Sequence, residues 1–181
     1  MADVSVRPAL PADSERIGAI HAETLRLAAE AGLGRDLPDE AADGLGPAAF
    51  AAQWRAAIDA PPTPLHRVLT ALDGQVIVGF AALAPADGDL PHAGAALQAE
   101  IVALEVAPDR VRAGHGSRLL AACAEILRQQ NAVAVLTWCV QGDQVRTRFL
   151  TSAGFAPLGV RRRFAVGDGE ITQIAWHTTL G

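Results

Sequence analysis

The chain has 181 residues, half of them apolar and 19 % charged, with a formal net charge of −5. That composition belongs to a folded chain rather than a disordered one, and the negative balance argues against a general nucleic-acid binder. The length suits a single domain over residues 1–181, no apolar run reaches the length of a membrane span, and MADVSVRPALPADSERI lacks the apolar core of a secretory signal. Cys123 and Cys139, with no CxxC or HExxH spacing around them, read as reduced thiols of a cytoplasmic protein without a dedicated metal site. All 15 basic residues are arginine and there is neither lysine nor tyrosine. With the heavy alanine use, this reads as a base-composition bias of the genome.

In chain order, 4–8 (VSVRP) reads as a short strand. A helix follows, capped by Asp13 or Ser14, with Ile17, Ile20, Thr24 and Leu27 on its inner face and Gly32 and Gly34 ending it. Residues 32–46 read as a loop. The stretch 50–58 is a second helix with Phe50, Trp54 and Ile58 on one side, stopped by prolines 61, 62 and 64. RVLTAL, the Asp73-Gly74 turn and QVIVGFAALA form a hairpin. After a loop at 85–97, AEIVALEV (99–106) is a strand, 116–130 an amphipathic helix with Leu119, Leu120, Cys123, Ile126 and Leu127 inward, and 133–140 a buried strand. DQVRTRFLTSAGF gives a short helix ending at Gly154, and strands 156–166 and 170–178 flank a Gly-Asp-Gly turn. Antiparallel strands followed by βαβ make a mixed α/β fold.

The stretch DRVRAGHGSRLL, 109–120, poses the chemical question. Chance gives roughly 1 to 2 GxG triplets in a chain of this composition. Four occur, so the triplet itself says little. Gly114 and Gly116 differ from the rest by context, lying between an apolar strand and an amphipathic helix. Glycines let a backbone approach an anion closely, and the free N–H groups and dipole of a helix N-terminus attract negative charge. Arg112 and Arg118 add charge. The alternative is a plain strand-to-helix turn. A Walker loop is excluded by the absence of lysine, and a GxGxxG fingerprint by Leu119.

AEIVALEVAPDRVRAGHGSRLL resembles the GNAT superfamily of N-acetyltransferases: a strand, a Pro-acidic turn at Pro108-Asp109, a [Q/R]xxGx[G/A] loop over Val111 to Gly116, and a helix. FLTSAGF (149–155) is similar to that family's FYxxxGF segment, and the element order matches from residue 4 to 178. The resemblance implies a mostly antiparallel twisted sheet of about seven strands flanked by about four helices, with acetyl-CoA as co-substrate. It implies backbone and charge contacts to the pyrophosphate from Gly114, His115, Gly116, Ser117 and Arg118, and pairing of the pantetheine arm along Leu104 and Val106. Asp143 and Phe149 fall on the same cofactor side. Three departures stand out. Val111 replaces the Gln or Arg of the loop, with Arg110 or Arg112 as substitutes. Leu150 stands where many relatives carry the tyrosine that protonates the departing thiolate. Asp143 stands where an asparagine often touches pantetheine.

The implied reaction is direct attack of an amine on the thioester. A strand N–H near 104–106 is the family-like donor to the thioester oxygen. Glu100, fourteen residues before Gly114, is the candidate base, since the histone-acetyltransferase branch carries its glutamate in a similar context. A solvated strand-end glutamate is the other reading. Period 2 puts Glu105 on the opposite face, as a surface or helix-paired residue. Cys139, Ser152 or water are the candidates for the acid, with Cys139 also reading as core. His115 is expected to be exposed, and His21 to be a substrate contact or a packing residue. Asp36, Asp39, Glu40, Asp43, Asp87 and Asp89 make the remaining loops acidic, which favours a cationic acceptor unless they are merely solvated. Arg161, Arg162 and Arg163 read as a solvated edge, or as a site for the 3′-phosphate or an anionic acceptor. The expected partner is a small-molecule or peptide amine, with no nucleic acid and no membrane, and with a homodimer as the family prior. A non-catalytic acyl-CoA-binding domain is the rival function, and transfer of a different acyl group a third.

Overall fold

A computed structural model describes residues 4–38, 46–86 and 98–181. Seven strands make one sheet: β1 (Val4–Pro8), β2 (Arg67–Asp73), β3 (Val76–Pro85), β4 (Gln98–Val106), β5 (Ala134–Val140), β6 (Ala156–Val166) and β7 (Gly169–Thr179). Their spatial order is β1-β2-β3-β4-β5-β7-β6. Every pairing is antiparallel except β4 with β5. Among the described residues four helices accompany it: α1 (Ser14–Leu33), α2 (Pro47–Asp59), α3 (His115–Gln129) and α4 (Gln144–Ser152). The mixed α/β architecture read from the sequence is present. Two short 3₁₀ turns, Pro11–Asp13 and Pro108–Arg110, were not anticipated. No helix among the described residues is long and apolar enough to cross a membrane.

The helices cover both faces of the sheet. Leu119, Cys123 and Leu127, at i, i+4 and i+8 of α3, are fully buried against Leu69, Val78, Ala81, Ile101 and Leu104. On the other face Ile17 and Ile20 of α1 and Trp54 and Ile58 of α2 close over Phe80, Ala82 and Ala103. Because β3 is covered on both sides, its run Val78 to Leu83 is apolar throughout rather than alternating.

Several expectations need correction. Leu27 is 41 % exposed, and the inner stripe of α1 runs through Ile17, Ile20 and Ala29 instead. Gly32 lies inside α1, where a Cβ would come within 2.6 Å of Val140 Cγ1 on β5. It is a contact glycine, and Gly34, left-handed at φ 67°, is the stop. Asp13 occupies the N-cap position of α1, as one of the two expected caps, but its side chain makes no capping bond to the helix. Its carboxylate takes two bonds from Arg7, at 2.7 and 3.0 Å, and one from the Leu10 N–H at 2.7 Å. Of the acidic loop residues, Asp39, Glu40, Asp43, Asp87 and Asp89 lie outside the described residues.

Candidate active site

The site begins where two strands part. β4 and β5 pair in parallel only from Gln98↔Ala134 to Ile101↔Thr137. Beyond that β4 runs on to Val106 and β5 to Val140 without pairing with each other. The Thr137 hydroxyl donates to the Ile101 carbonyl at 2.9 Å and closes the apex of the fork. On β4, Glu105 faces Phe80 in the β3 ladder and the Ala107 N–H donates to the Val78 carbonyl. Alternation then turns the amides and carbonyls of Leu104 and Val106 into the fork. A strand edge that pairs with no other strand thus lines it.

The mouth of the fork meets the N-terminus of α3. Gly114 caps that helix in a left-handed conformation, φ 82°. The first helical bond runs from the Arg118 N–H to the Gly114 carbonyl. The N–H groups of His115, Gly116 and Ser117 precede it and have no helical acceptor. A Cβ on Gly116 would meet the Phe149 ring at 3.6 Å and Val106 Cγ2 at 3.7 Å, ordinary contact distances. Packing therefore does not demand glycine there, and the bare backbone leaves room for a ligand. Those amides, the glycine and the helix dipole suit a pyrophosphate.

Charge is distributed unevenly around this cradle. Arg118 Nη1 bonds back to the Ala113 carbonyl at 3.0 Å and stays beside Gly114. Arg110 is engaged by Asp73 and Asp109 at 3.5 and 3.4 Å. Arg112 is exposed, with φ 66°. Val111 is 51 % exposed and brings no polar group. His115 corrects an expectation: as the first residue of α3 it is 3 % exposed, so its contribution to an anion is its N–H.

Two carboxylates of β4 lie on the face that α1 and α2 cover. Glu100, between the core residues Ala99 and Ile101, points to that face, and its charge acts on Arg162. Arg162 lies over the Trp138 ring at 4.1 Å. Burial there lowers its pKa, with Glu100 opposing the shift. Glu105 lies on the same face, not the opposite one. The β3–β4 register slips between Ala82↔Ala103 and Leu83↔Ile101, so Val102 is an extra residue in β4. That bulge reverses the alternation, and Ala103 joins Phe80, Ile17 and Ile20. Glu105 follows two residues on. Its helix partner is Arg146 of α4, at 2.6 Å.

His21 is a packing residue. Its ring stacks among Phe50, Trp54 and Phe80 with centroids 4.3 to 5.6 Å away. Trp54 Nε1–H donates to its Nδ1 at 3.0 Å. Desolvation lowers its pKa and the Glu105 charge opposes this. Cys139 is 3 % exposed in the α3-side core, and burial raises its pKa. The Ser152 hydroxyl donates to the Phe149 carbonyl. Leu150 is 3 % exposed in the same core as Cys139. Asp143 caps α4 by accepting from the Arg146 N–H at 2.9 Å. Among the described residues no group of three His, Cys, Asp or Glu is placed to hold a metal.

Known structures share this architecture. The PaiA N-acetyltransferase of Thermoplasma acidophilum, solved in complex with coenzyme A, superposes with a TM-score of 0.71 at 13 % identity, covering 98 % of this chain and 99 % of its own. The ribosomal-protein-alanine N-acetyltransferase of Brucella melitensis gives 0.67 at 20 % identity, over 97 % and 99 % of the two chains. YncA of Salmonella typhimurium, solved with its cofactor acetyl-CoA, gives 0.62 at 16 %, over 98 % and 94 %. At these identities the likeness speaks for the fold. No curated protein matches the sequence. Residues 33–155, from the end of α1 through both arms of the fork to Phe155 after α4, match the Acetyltransferase (GNAT) family, and the chain belongs to that family.

Proposed function

We propose that this protein transfers an acetyl group from acetyl-CoA to a primary amine of a small molecule or peptide. The observation that carries the reading is the fork between β4 and β5 opening onto the unbonded amides of His115, Gly116 and Ser117. The cradle holds the pyrophosphate, with Arg118 and Arg112 adding charge. The fork-facing edge at Leu104 and Val106 takes the pantetheine arm, and Phe149 packs beside it. Acetyl-CoA supplies the acyl group already activated as a thioester. A fork-facing N–H of Leu104 or Val106 stabilises the developing oxyanion.

Glu100 accepts the proton that the attacking ammonium must lose. The C–N bond forms, the nitrogen sheds its second proton to water, the C–S bond breaks, and the electron pair leaves on sulfur as thiolate. Leu150 has no proton to give, so water protonates the thiolate. Two carboxylates on the acceptor face, Glu100 and Glu105, favour a cationic amine. The test is release of free CoA thiol with a panel of polyamines, aminoalcohols and amino-terminal peptides. Turnover with at least one amine, reduced by a factor on the order of 10² or more in Glu100→Gln, is the expected result.

One feature favours a second reading, a domain that binds acyl-CoA without transferring it: Leu150 offers no acid. That reading predicts binding with no turnover on any amine and indifference to Glu100→Gln.

A further inference from the structure

The fork contains a side chain of its own. Arg146, in the first turn of α4, reaches across the gap from β5 to β4. Its Nη1 donates to the Leu104 carbonyl at 2.5 Å and its Nη2 to Glu105 Oε1 at 2.6 Å. Both side chains are largely enclosed, 22 % and 17 % exposed. Burial would lower the guanidinium's pKa, but the charge and hydrogen bond of Glu105 outweigh it and raise it. The cation is therefore permanent, and its two bonds are of the charge-assisted, strong kind.

The Leu104 carbonyl is one of the few backbone groups that β4 turns into the fork, and the pantetheine amides need that same edge. A guanidinium and a pantetheine arm cannot both occupy it. We propose that Arg146 sets the affinity of the fork for acyl-CoA: it satisfies the Leu104 carbonyl in the free protein, is anchored there by Glu105, and is displaced when the cofactor binds. This deepens the acetyl-CoA reading and rests on it. When Arg146 leaves, Glu105 loses its counter-charge on the acceptor face, and an incoming ammonium supplies a new one.

The experiment is calorimetric titration of acetyl-CoA into the full chain and into Arg146→Met and Glu105→Gln. Met keeps most of the side-chain bulk and removes the competing donor. Glu105→Gln removes the anchor and leaves Arg146 in place. A bond of this kind suppresses the open fork by roughly tenfold, so Arg146→Met binds acetyl-CoA roughly tenfold more tightly and Glu105→Gln more tightly by a smaller factor. Binding by Arg146→Met where the wild type shows none supports the proposal further. Unchanged or weaker binding in both variants, with the wild type binding, overturns the role of Arg146 and leaves the acetyl-CoA reading standing. No binding by any of the three overturns that reading, and this inference with it.

Discussion

Replacing Gly116 by glutamate separates the needs of the fold from those of the ligand, because the two change in opposite directions. Gly116 is the second residue of α3 and is not in a left-handed conformation. A Cβ there meets nothing nearer than 3.6 Å, so the branch point itself causes no clash and the carboxylate extends toward the ligand side. Helix propensity favours glutamate over glycine by roughly 0.5–1 kcal/mol. A carboxylate in the first turn gains a further 0.3–1 kcal/mol or so from the helix dipole. The folded state should gain about 1 kcal/mol, raising the Tm by roughly 2–4 °C for a chain of this size. The same carboxylate would stand where the pyrophosphate binds, and acetyl-CoA affinity should fall by about 100-fold or more. Differential scanning calorimetry gives the first quantity and isothermal titration the second. A Tm that drops by several degrees would show that the glycine is structural. Retained affinity would show that the N-terminus of α3 is not the phosphate site.

Other predictions test the scaffold. Gly32→Ala, although it improves helix propensity, should destabilise by about 1–3 kcal/mol in urea melts, because its Cβ would lie 2.6 Å from Val140 Cγ1; a stabilised variant would contradict the contact. Phe80→Ala removes the fully buried ring on which His21 and Trp54 pack and should cost about 3–5 kcal/mol, with a cost under 1 kcal/mol refuting its central place. Acid should weaken the fold in two stages. Desolvation lowers the His21 pKa against the pull of Glu105. Burial would raise that of Asp13, but its bonds from Arg7 and Leu10 prevail and lower it. Both folded values lie below the unfolded ones, so the associated stability is complete above about pH 6.5 and is lost as pH falls, first through His21 and then, in the carboxylate range, through Asp13. Urea midpoints measured from pH 7.5 to 3.5 should show His21→Gln flattening the upper stage; a decline as steep as in the wild type would refute that assignment.

Local signals carried much of this molecule. The period of α3, the Asp73-Gly74 turn and the glycines flanking His115 each state their structure within a dozen residues, and the start of α3 and the strand leading to it were legible from them. What stayed hidden depends on partners far along the chain. The bulge at Val102 leaves no mark in AEIVALEV, so simple alternation sent Glu105 to the wrong face. Arg146 looks like any helix arginine until β4, some forty residues earlier in the chain, is laid beside it. The reading of Glu105 as a surface or helix-paired residue pointed to a partner without naming it. His115 sits in a polar, glycine-rich string and becomes buried only because α3 begins at it. Gly32 and Gly34 look alike, and only the approach of β5 to α1 assigns one to packing and the other to termination.

The measurement closest to the central claim is an amide NMR titration of the protein with acetyl-CoA. Saturable shifts are expected at His115, Gly116 and Ser117 together with Leu104 and Val106, the two halves of the proposed groove. Shifts confined to other surfaces, or none at millimolar acetyl-CoA, would contradict it.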